Sequence, residues 1–579
     1  MKENQNLAGF DMVLGLSQNT INFQFQQLHR RKIIKNKWAV MVGNVLNPPK
    51  GEKAFRFEGS EAELKSKLTL WISRQREIAS ARNAGNWAEI GKLIDLIKAE
   101  NANFDYVWDA QLAPPTIEII DKDTQHVFML LKFSGGTLYY RPDETSEIKS
   151  FDLKGCIYAF TSPIGRLKIN KDQMLMDADE EMNLILRQGG LSESDFRIES
   201  LFLNIENANI STFNKSRSIF PDSATLPLQI AIESYFNQVM RGSENPYVLG
   251  YGVTRPKINN EKALFQPTSL EYSTSFSSKL DSKQPVKGQF SALNFLMMLN
   301  GNEPVKNQKT GIIPASLIEL GKDMTSTTDG VFVIDGDHFN AYLYALDEYV
   351  ASTFSDKTGV EIEGGGFQNE GNERVLHANY DTKHIDDEIN TVYKLVRKPV
   401  ENVENGIKVT YTFEINMTVH VHIGAIDIYQ VSLSTSGQYT HGEIDKIGAI
   451  GQLQFIIKNG KLGRFDLENE LKSPIIAFDK SPLIVGGGFL DIIGDILSFI
   501  FLWPLKIAQG IANQIAIDLG RDNVKVQNSK INSLREIDVL NQTNKVILPL
   551  GKTYAYKNLR CLKDKSLVAY DISYAPVVE

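Results

Sequence analysis

GFDMVLGLSQNTINFQFQQL, residues Gly9 to Leu28, and DGVFVIDGDHFNAYLYAL, residues Asp329 to Leu346, are two writings of one unit. With Asp11 laid on Asp329 the copies run without a gap. Val13 falls on Val331, Leu14 on Phe332, Leu16 on Ile334, Ser17 on Asp335, Ile21 on Phe339, Asn22 on Asn340, Phe25 on Leu343 and Leu28 on Leu346. In each copy a short extended apolar run reaches Ser17 or Asp335, whose side chain can accept a hydrogen bond from the free N–H groups at a helix start. Past that cap the apolar residues take helical spacing, Ile21, Phe25, Leu28 and Phe339, Leu343, Leu346. Each copy is therefore a strand feeding a helix with one apolar stripe that must be covered. Two copies so far apart imply two domains of one architecture and not a solenoid.

Composition agrees with that scale. The chain has 579 residues, 42% hydrophobic and 23% charged, which suits a globular protein of more than one domain. A net charge of -8, spread along the chain, gives no electrostatic footprint for nucleic acid. The two cysteines, Cys156 and Cys561, fall in different halves, so no disulfide framework is expected. The opening MKENQNLAGFD lacks the basic segment and apolar run of a secretory signal; the expectation is cytoplasmic synthesis, with any release by a non-classical route.

Between the copies the pattern alternates. Gly51 to Lys98 reads as a charged helical insertion, with Ser60 and Glu63 spaced as a capping box before Leu64, Leu68 and Trp71, and a second helix from Trp87 to Ile97. Strands are expected at Thr116 to Ile120, Val127 to Phe133, Thr137 to Arg141, Ile157 to Phe160, Phe196 to Ile205 and Leu270 to Phe276, and a helix at Leu228 to Met240. Gln284 to Thr328, with its apolar piece FSALNFLMMLNG, reads as an inter-domain bridge. The division expected is 1–283 for the first domain with its insertion at 51–98, 284–328 for the bridge and 329–579 for the second domain.

Ile407 to Ile423, IKVTYTFEINMTVHVHI, alternates apolar and polar at every step. At ~3.3 Å per residue it extends on the order of 55 Å, too long for a flat strand, so a sheet curling around a helix is expected. Phe489 to Ile515 reads as a second long helix, with Phe499 and Trp503 in an almost wholly apolar stretch. Asp491, Asp495, Lys506 and Pro504 bracket and kink it, short of the about 20 clean residues that cross a bilayer. Burial by protein is the reading, membrane insertion the alternative. Final strands are expected at Lys545 to Leu548 and Leu567 to Tyr574.

The strand-helix openings Val13 to Leu28 and Val331 to Leu346, together with SYFNQVM, YVLGYGVTRP and LEYSTSF, resemble the tubular lipid-binding (TULIP) superfamily that includes bactericidal/permeability-increasing protein. GFDMVLGLSQNTIN, FSALNFLMML and LPLGKTYAYKNL look closest to its OrfX-type bacterial members, the accessory proteins of clostridial neurotoxin and insecticidal loci. The resemblance implies an α+β chain of two elongated domains, each a strongly curved antiparallel sheet wrapped around long helices. It also implies binding of a lipid, fatty acid or other hydrophobic small molecule, with other proteins of the same gene cluster or a membrane surface as further partners. The paired disulfide of the secreted mammalian members is missing.

No catalytic signature is present: there is no G-x-S-x-G, Walker A, H-E-x-x-H or paired C-x-x-C. His420 and His422 share one strand face, but with Lys408, Thr410, Glu414 and Asn416 beside them and no third ligand in view, no metal is expected. Asp335 and Asp337 flank Gly336 without the acidic twelfth residue of a calcium loop, so helix capping accounts for them. The acidic run Asp177, Asp179, Glu180, Glu181 reads as a solvated turn, and the glycine triplets at 364 and 486 as bends. The expected function is non-catalytic binding with no cofactor. The lining residues are Ile21, Phe25, Leu28, Phe339, Leu343 and Leu346, with Phe499 and Trp503 from the long helix. A filled core is the competing reading of the same periodicity. A membrane-active insecticidal toxin and a structural partner module are the functional alternatives.

Overall fold

The computed structural model describes residues 7–43, 55–57, 61–99, 104–141, 148–169, 197–203, 212–220, 232, 247–254, 267–280, 288–299, 301–302, 316–320, 329–358, 360–384, 387–404, 406–423, 426–433, 447–459, 465–478, 546–549, 555–563 and 566–573. Its strands form three sheets, all antiparallel in their pairings. Phe499, Trp503 and the rest of the Phe489 to Ile515 segment lie outside the described residues, as do the acidic run at 177–181, the glycines at 486–488 and all of the expected helix at 228–240 except Ile232.

The chain enters through strand β1 (Met12–Ser17), every residue of which is buried, so its apolar run serves two packed faces. Helix α1 (Gln18–Arg30) follows, with the Ser17 side chain accepting from the Thr20 N–H at 3.2 Å. His29 and Arg30 in the last turn complement the negative end of the helix.

A first wing comes next: β2 (Lys37–Gly43), β3 (Phe55–Phe57), helices α2 (Glu61–Asn83) and α3 (Trp87–Ala99), then β4 (Tyr106–Leu112), β5 (Thr116–Ile119), β6 (His126–Tyr140), β7 (Lys149–Asp152), β8 (Ile157–Ile169), β9 (Arg197–Leu203) and β10 (Val248–Thr254). They assemble in the order β10-β9-β8-β6-β4-β2-β3, with β5 and β7 attached to β6. The two strands expected at 127–133 and 137–141 are one strand. Gly135 and Gly136 do not make a turn: they pair with Gln111 and Ala110 of β4, and the bulge lies beside them at Ser134, the residue left unopposed where the register shifts between Gln111 and Leu112. The helical insertion packs Leu64, Leu68, Trp71, Ile90, Leu93 and Ile97 with Met41, Phe104 and Val107 into a small core of its own.

The chain then returns to the centre with β11 (Pro267–Ser275) and β12 (Ala292–Leu299), so the apolar piece FSALNFLMMLNG supplies a buried central strand. The second copy of the repeat follows as β13 (Gly330–Asp335) and helix α4 (Gly336–Thr358). A second wing comprises β14 (Glu361–Ile362), β15 (Gln368–Glu370), β16 (Glu373–His384), β17 (Asp387–Arg397), β18 (Glu401–Val403), β19 (Gly406–Ile423), β20 (Ile426–Leu433), β21 (Ile447–Asn459) and β22 (Phe465–Phe478). Strand β23 (Val546–Ile547) joins the free edge of β10, and β24 (Ala555–Leu562) and β25 (Leu567–Ser573) close the chain in the centre.

The central sheet has the order β11-β12-β1-β13-β25-β24. Each copy of the repeat contributes its opening strand and receives its own closing hairpin on the outer side, so the order is a palindrome about the β1–β13 pair. In that pair Leu14 lies opposite Phe332 and Leu16 opposite Gly330. One face of the sheet, with Leu14, Leu16, Phe295, Phe332 and Tyr570, joins the main core. The other, with Val13, Leu296, Val331, Val333 and Ala569, packs on Leu7, Phe10, Leu317 and Ile318.

Candidate functional site

Helix α1 is laid into the first wing by both its apolar and its polar side chains. Ile21, Phe25 and Leu28 are fully buried and share one core with β1, β4, β6 and β8. Four polar residues bind main chain on three strands, two of them on β5. Asn22 accepts from the Ile117 N–H at 2.7 Å and donates to its carbonyl at 3.2 Å, and Gln18 accepts from Ile119 N–H at 2.8 Å. His29 Nε2 lies 2.9 Å from the Leu112 carbonyl, and Gln24 donates to the Val248 carbonyl at 2.9 Å. Leu112 is on β4 and Val248 on β10, with β6, β8 and β9 between them. In a flat sheet those strands stand on the order of 19 Å apart, beyond the ~10–12 Å diameter of a helix. One helix touching both therefore requires the sheet to curl around it.

The interior so formed is aromatic and aliphatic. Phe25 meets Tyr247 edge-on at 6.2 Å between centroids. Among the polar residues of α1, Gln24 has 0% of its surface exposed, and no described residue donates to its side-chain oxygen.

Helix α4 repeats the arrangement in the second wing. Phe339, Leu343 and Leu346 are buried and belong to the same continuous core as the α1 residues. Asp335 accepts from the Asp337 N–H at 3.1 Å, the capping role read from sequence. Phe354 meets Tyr393 of β17 edge-on at 5.4 Å, and Tyr411 of β19 packs on Phe367 at 5.6 Å.

A charged group that periodicity does not reveal sits in this packing. Asp347 of α4 is buried against Arg374 Nε at 3.2 Å and Arg397 Nε at 3.0 Å, and Tyr411 donates to it at 2.7 Å. Burial raises the Asp347 carboxyl above its ordinary range, against the pull of Arg397, Tyr411 and Arg374. Burial and the Asp347 charge push the Tyr411 phenol well above its usual value. Sequence missed this cluster because its members stand on one helix and three strands, joined only by the register Arg374 opposite Arg397 and Arg397 opposite Tyr411.

His420 and His422 run in β19, where their main chain pairs with Glu388 and Asp427. Among the described residues no group of three or more His, Cys, Asp or Glu is placed to hold a metal, and no helix is long and apolar enough to cross a membrane.

No protein family and no curated protein matches the sequence. Among solved structures, the fold is similar to P47 of Clostridium botulinum E1 at a TM-score of 0.42 and 10% identity, covering 98% of this chain and 99% of that one. It is similar to P47 from Clostridium botulinum A2 at 0.38 and 9%, covering 98% of both chains. A lipopolysaccharide binding protein aligns at 0.30 and 9%, over 98% of this chain and 100% of that one. Likenesses of this size assign no activity to the chain.

Proposed function

We propose that the chain binds a lipid or another apolar molecule between its repeat helices and the sheets around them, and that it acts by binding and not by catalysis. In this reading residues 1–283 and 329–579 are two tubular units, and Ile21, Phe25, Leu28, Phe339, Leu343 and Leu346 line their interiors. The observation that carries the proposal is Gln24. Its amide nitrogen is used on Val248, while no donor among the described residues meets its enclosed oxygen. A buried acceptor left unmet costs about 1–3 kcal/mol. Placed beside the apolar side chains of Phe25 and Tyr247, it is where the hydroxyl of an amphiphile, or a water beside an acyl chain, would gain a hydrogen bond.

A role as accessory factor at a bacterial toxin or secretion locus, with other proteins of that gene cluster as partners, is proposed on the resemblance of GFDMVLGLSQNTIN, FSALNFLMML and LPLGKTYAYKNL to OrfX-type proteins. The binding reading is tested by native mass spectrometry and solvent extraction of the purified protein, followed by titration with a fluorescent fatty acid. Co-purifying lipid or saturable uptake is expected. Protein that is lipid-free and takes up neither fatty acid nor phospholipid overturns it.

A further inference from the structure

We propose that Arg374 and Arg397, beside Tyr344, form a binding site for a phosphate-type anion at the rim of the second wing. The two arginines stand directly opposite one another on β16 and β17, a like-charge pairing that destabilises a sheet unless a counter-charge is supplied. One carboxylate, Asp347, serves both, so the group carries one positive charge in excess. Nearby acids do not make up the difference: Glu373 is held by Lys398 at 2.7 Å and Glu370 by His377 at 2.6 Å.

The donors are also in excess. The Arg397 side chain is only 10% exposed, yet its Nε makes no aligned hydrogen bond to any described residue. Its Nε lies close to Asp347 but is misaligned, and its plane meets the Tyr344 ring with Cζ 5.9 Å from the centroid. Arg374 uses Nε on Asp347 and Nη1 on Asn369 Oδ1 at 3.1 Å, and sits over the same ring at 4.8 Å. A guanidinium presents five N–H donors in a fixed fork, and two such forks held by one aspartate suit a multi-oxygen anion better than they suit each other.

Place in the fold points the same way. Tyr344 is 42% exposed and marks the open side, whereas the next inward-facing row, Leu376 opposite Leu395, is buried and apolar. A cationic row bordering an apolar one matches a phosphorylated lipid, and the same donors match free inorganic phosphate. The anion site does not depend on the acyl-chain reading above, because only its rim is used.

The test is 31P NMR titration of the full chain with inorganic phosphate against sodium chloride of equal ionic strength, alongside sedimentation with phosphatidylcholine vesicles with and without phosphatidic acid. Saturable phosphate binding is expected, weakened by about tenfold or more in Arg397→Gln, since that variant loses a charged hydrogen-bonding fork. Arg397→Lys keeps the charge and loses the fork; it is expected to weaken binding while retaining the fold, and stands in if the glutamine variant fails to fold. Binding of phosphate alone identifies a soluble ligand. Vesicle capture that needs both phosphatidic acid and Arg397 identifies a headgroup. Binding that follows ionic strength alone, or is unchanged in both variants, overturns the site.

Discussion

Leu14 and Phe332 are equivalent positions of the repeated segment, and they face each other across the β1–β13 pair. A local two-fold axis therefore passes between them, and contacts around it come in matched pairs. Ser17 N–H donates to the Asp329 carbonyl at 2.8 Å, and its equivalent Asp335 donates to the Asp11 carbonyl at 2.9 Å. Gln18 N–H reaches Ser291 at 2.9 Å as Gly336 N–H reaches Ser566 at 2.8 Å. Side chains follow: Thr20 donates to the Asp329 carboxylate at 3.2 Å, and His338, standing where Thr20 stands, lies 3.7 Å from Asp11.

Because the axis joins both copies in one sheet, a cavity there weakens the whole centre. Phe332 is buried and stacks on Tyr570 at 5.0 Å with an interplanar angle of 16°. Phe332→Ala is expected to destabilise by about 3–5 kcal/mol, and Leu14→Ala by about 2–5 kcal/mol. Urea unfolding followed by circular dichroism checks both, and a loss below about 1 kcal/mol in either would contradict the packing described.

The departure from symmetry at His338 makes the centre pH-dependent. Burial disfavours the charged ring, but the Asp335 side chain and the charges of Asp11, Asp335 and Asp337 outweigh it and raise its pKa above 6.5. A raised folded-state pKa means that the stabilisation is complete below the unfolded value and is lost as pH rises through the folded one. The wild-type Tm is therefore expected to fall on going from pH 6 to pH 9 by more than that of His338→Gln. Parallel profiles for the two proteins would show that the ring does not titrate against these carboxylates.

How much of this was legible depended on whether the signal was local. The repeat, both helix caps and the stripes Ile21, Phe25, Leu28 and Phe339, Leu343, Leu346 follow from spacing within single elements, and β19 followed from strict alternation. Which strands become neighbours did not, because apolar runs such as those of β1, β12 and β13 carry no partner label. The glycine pair in β6 looked like a turn, since only the register against β4 shows that the strand continues. The Asp347 cluster left no trace, as lone charges at 347, 374 and 397 read as solvated positions until a helix is laid over the sheet.

Glycines separate backbone demand from propensity. Gly136 has φ +108, and an added Cβ would lie 2.1 Å from the Asp109 carbonyl oxygen in the neighbouring strand. Gly136→Ala is expected to destabilise by more than the ~1 kcal/mol that left-handed backbone alone costs, because the β4–β6 pairing at Ala110 must also open. Gly91 lies inside α3 with nothing within 4 Å of its missing Cβ, so Gly91→Ala is expected to stabilise by about 0.4–1 kcal/mol. Thermal denaturation should move in opposite directions for the two variants.

Asp347 is the counter-charge on which the second wing closes. Replacing it with Asn keeps the volume and leaves two neighbouring guanidiniums buried together without a partner carboxylate. Breaking a buried ion pair from one side costs about 3–5 kcal/mol, so Asp347→Asn is expected to lower stability by that order. Arg397→Gln removes one of the two like charges and leaves Asp347 paired with Arg374 and Tyr411, and should cost distinctly less. In the double variant Asp347→Asn/Arg397→Gln the excess charge is again single, so the two losses should not add. Chemical denaturation of the three proteins checks this order: an aspartate variant as stable as wild type, or strictly additive losses, would mean that the three side chains do not share one electrostatic fate.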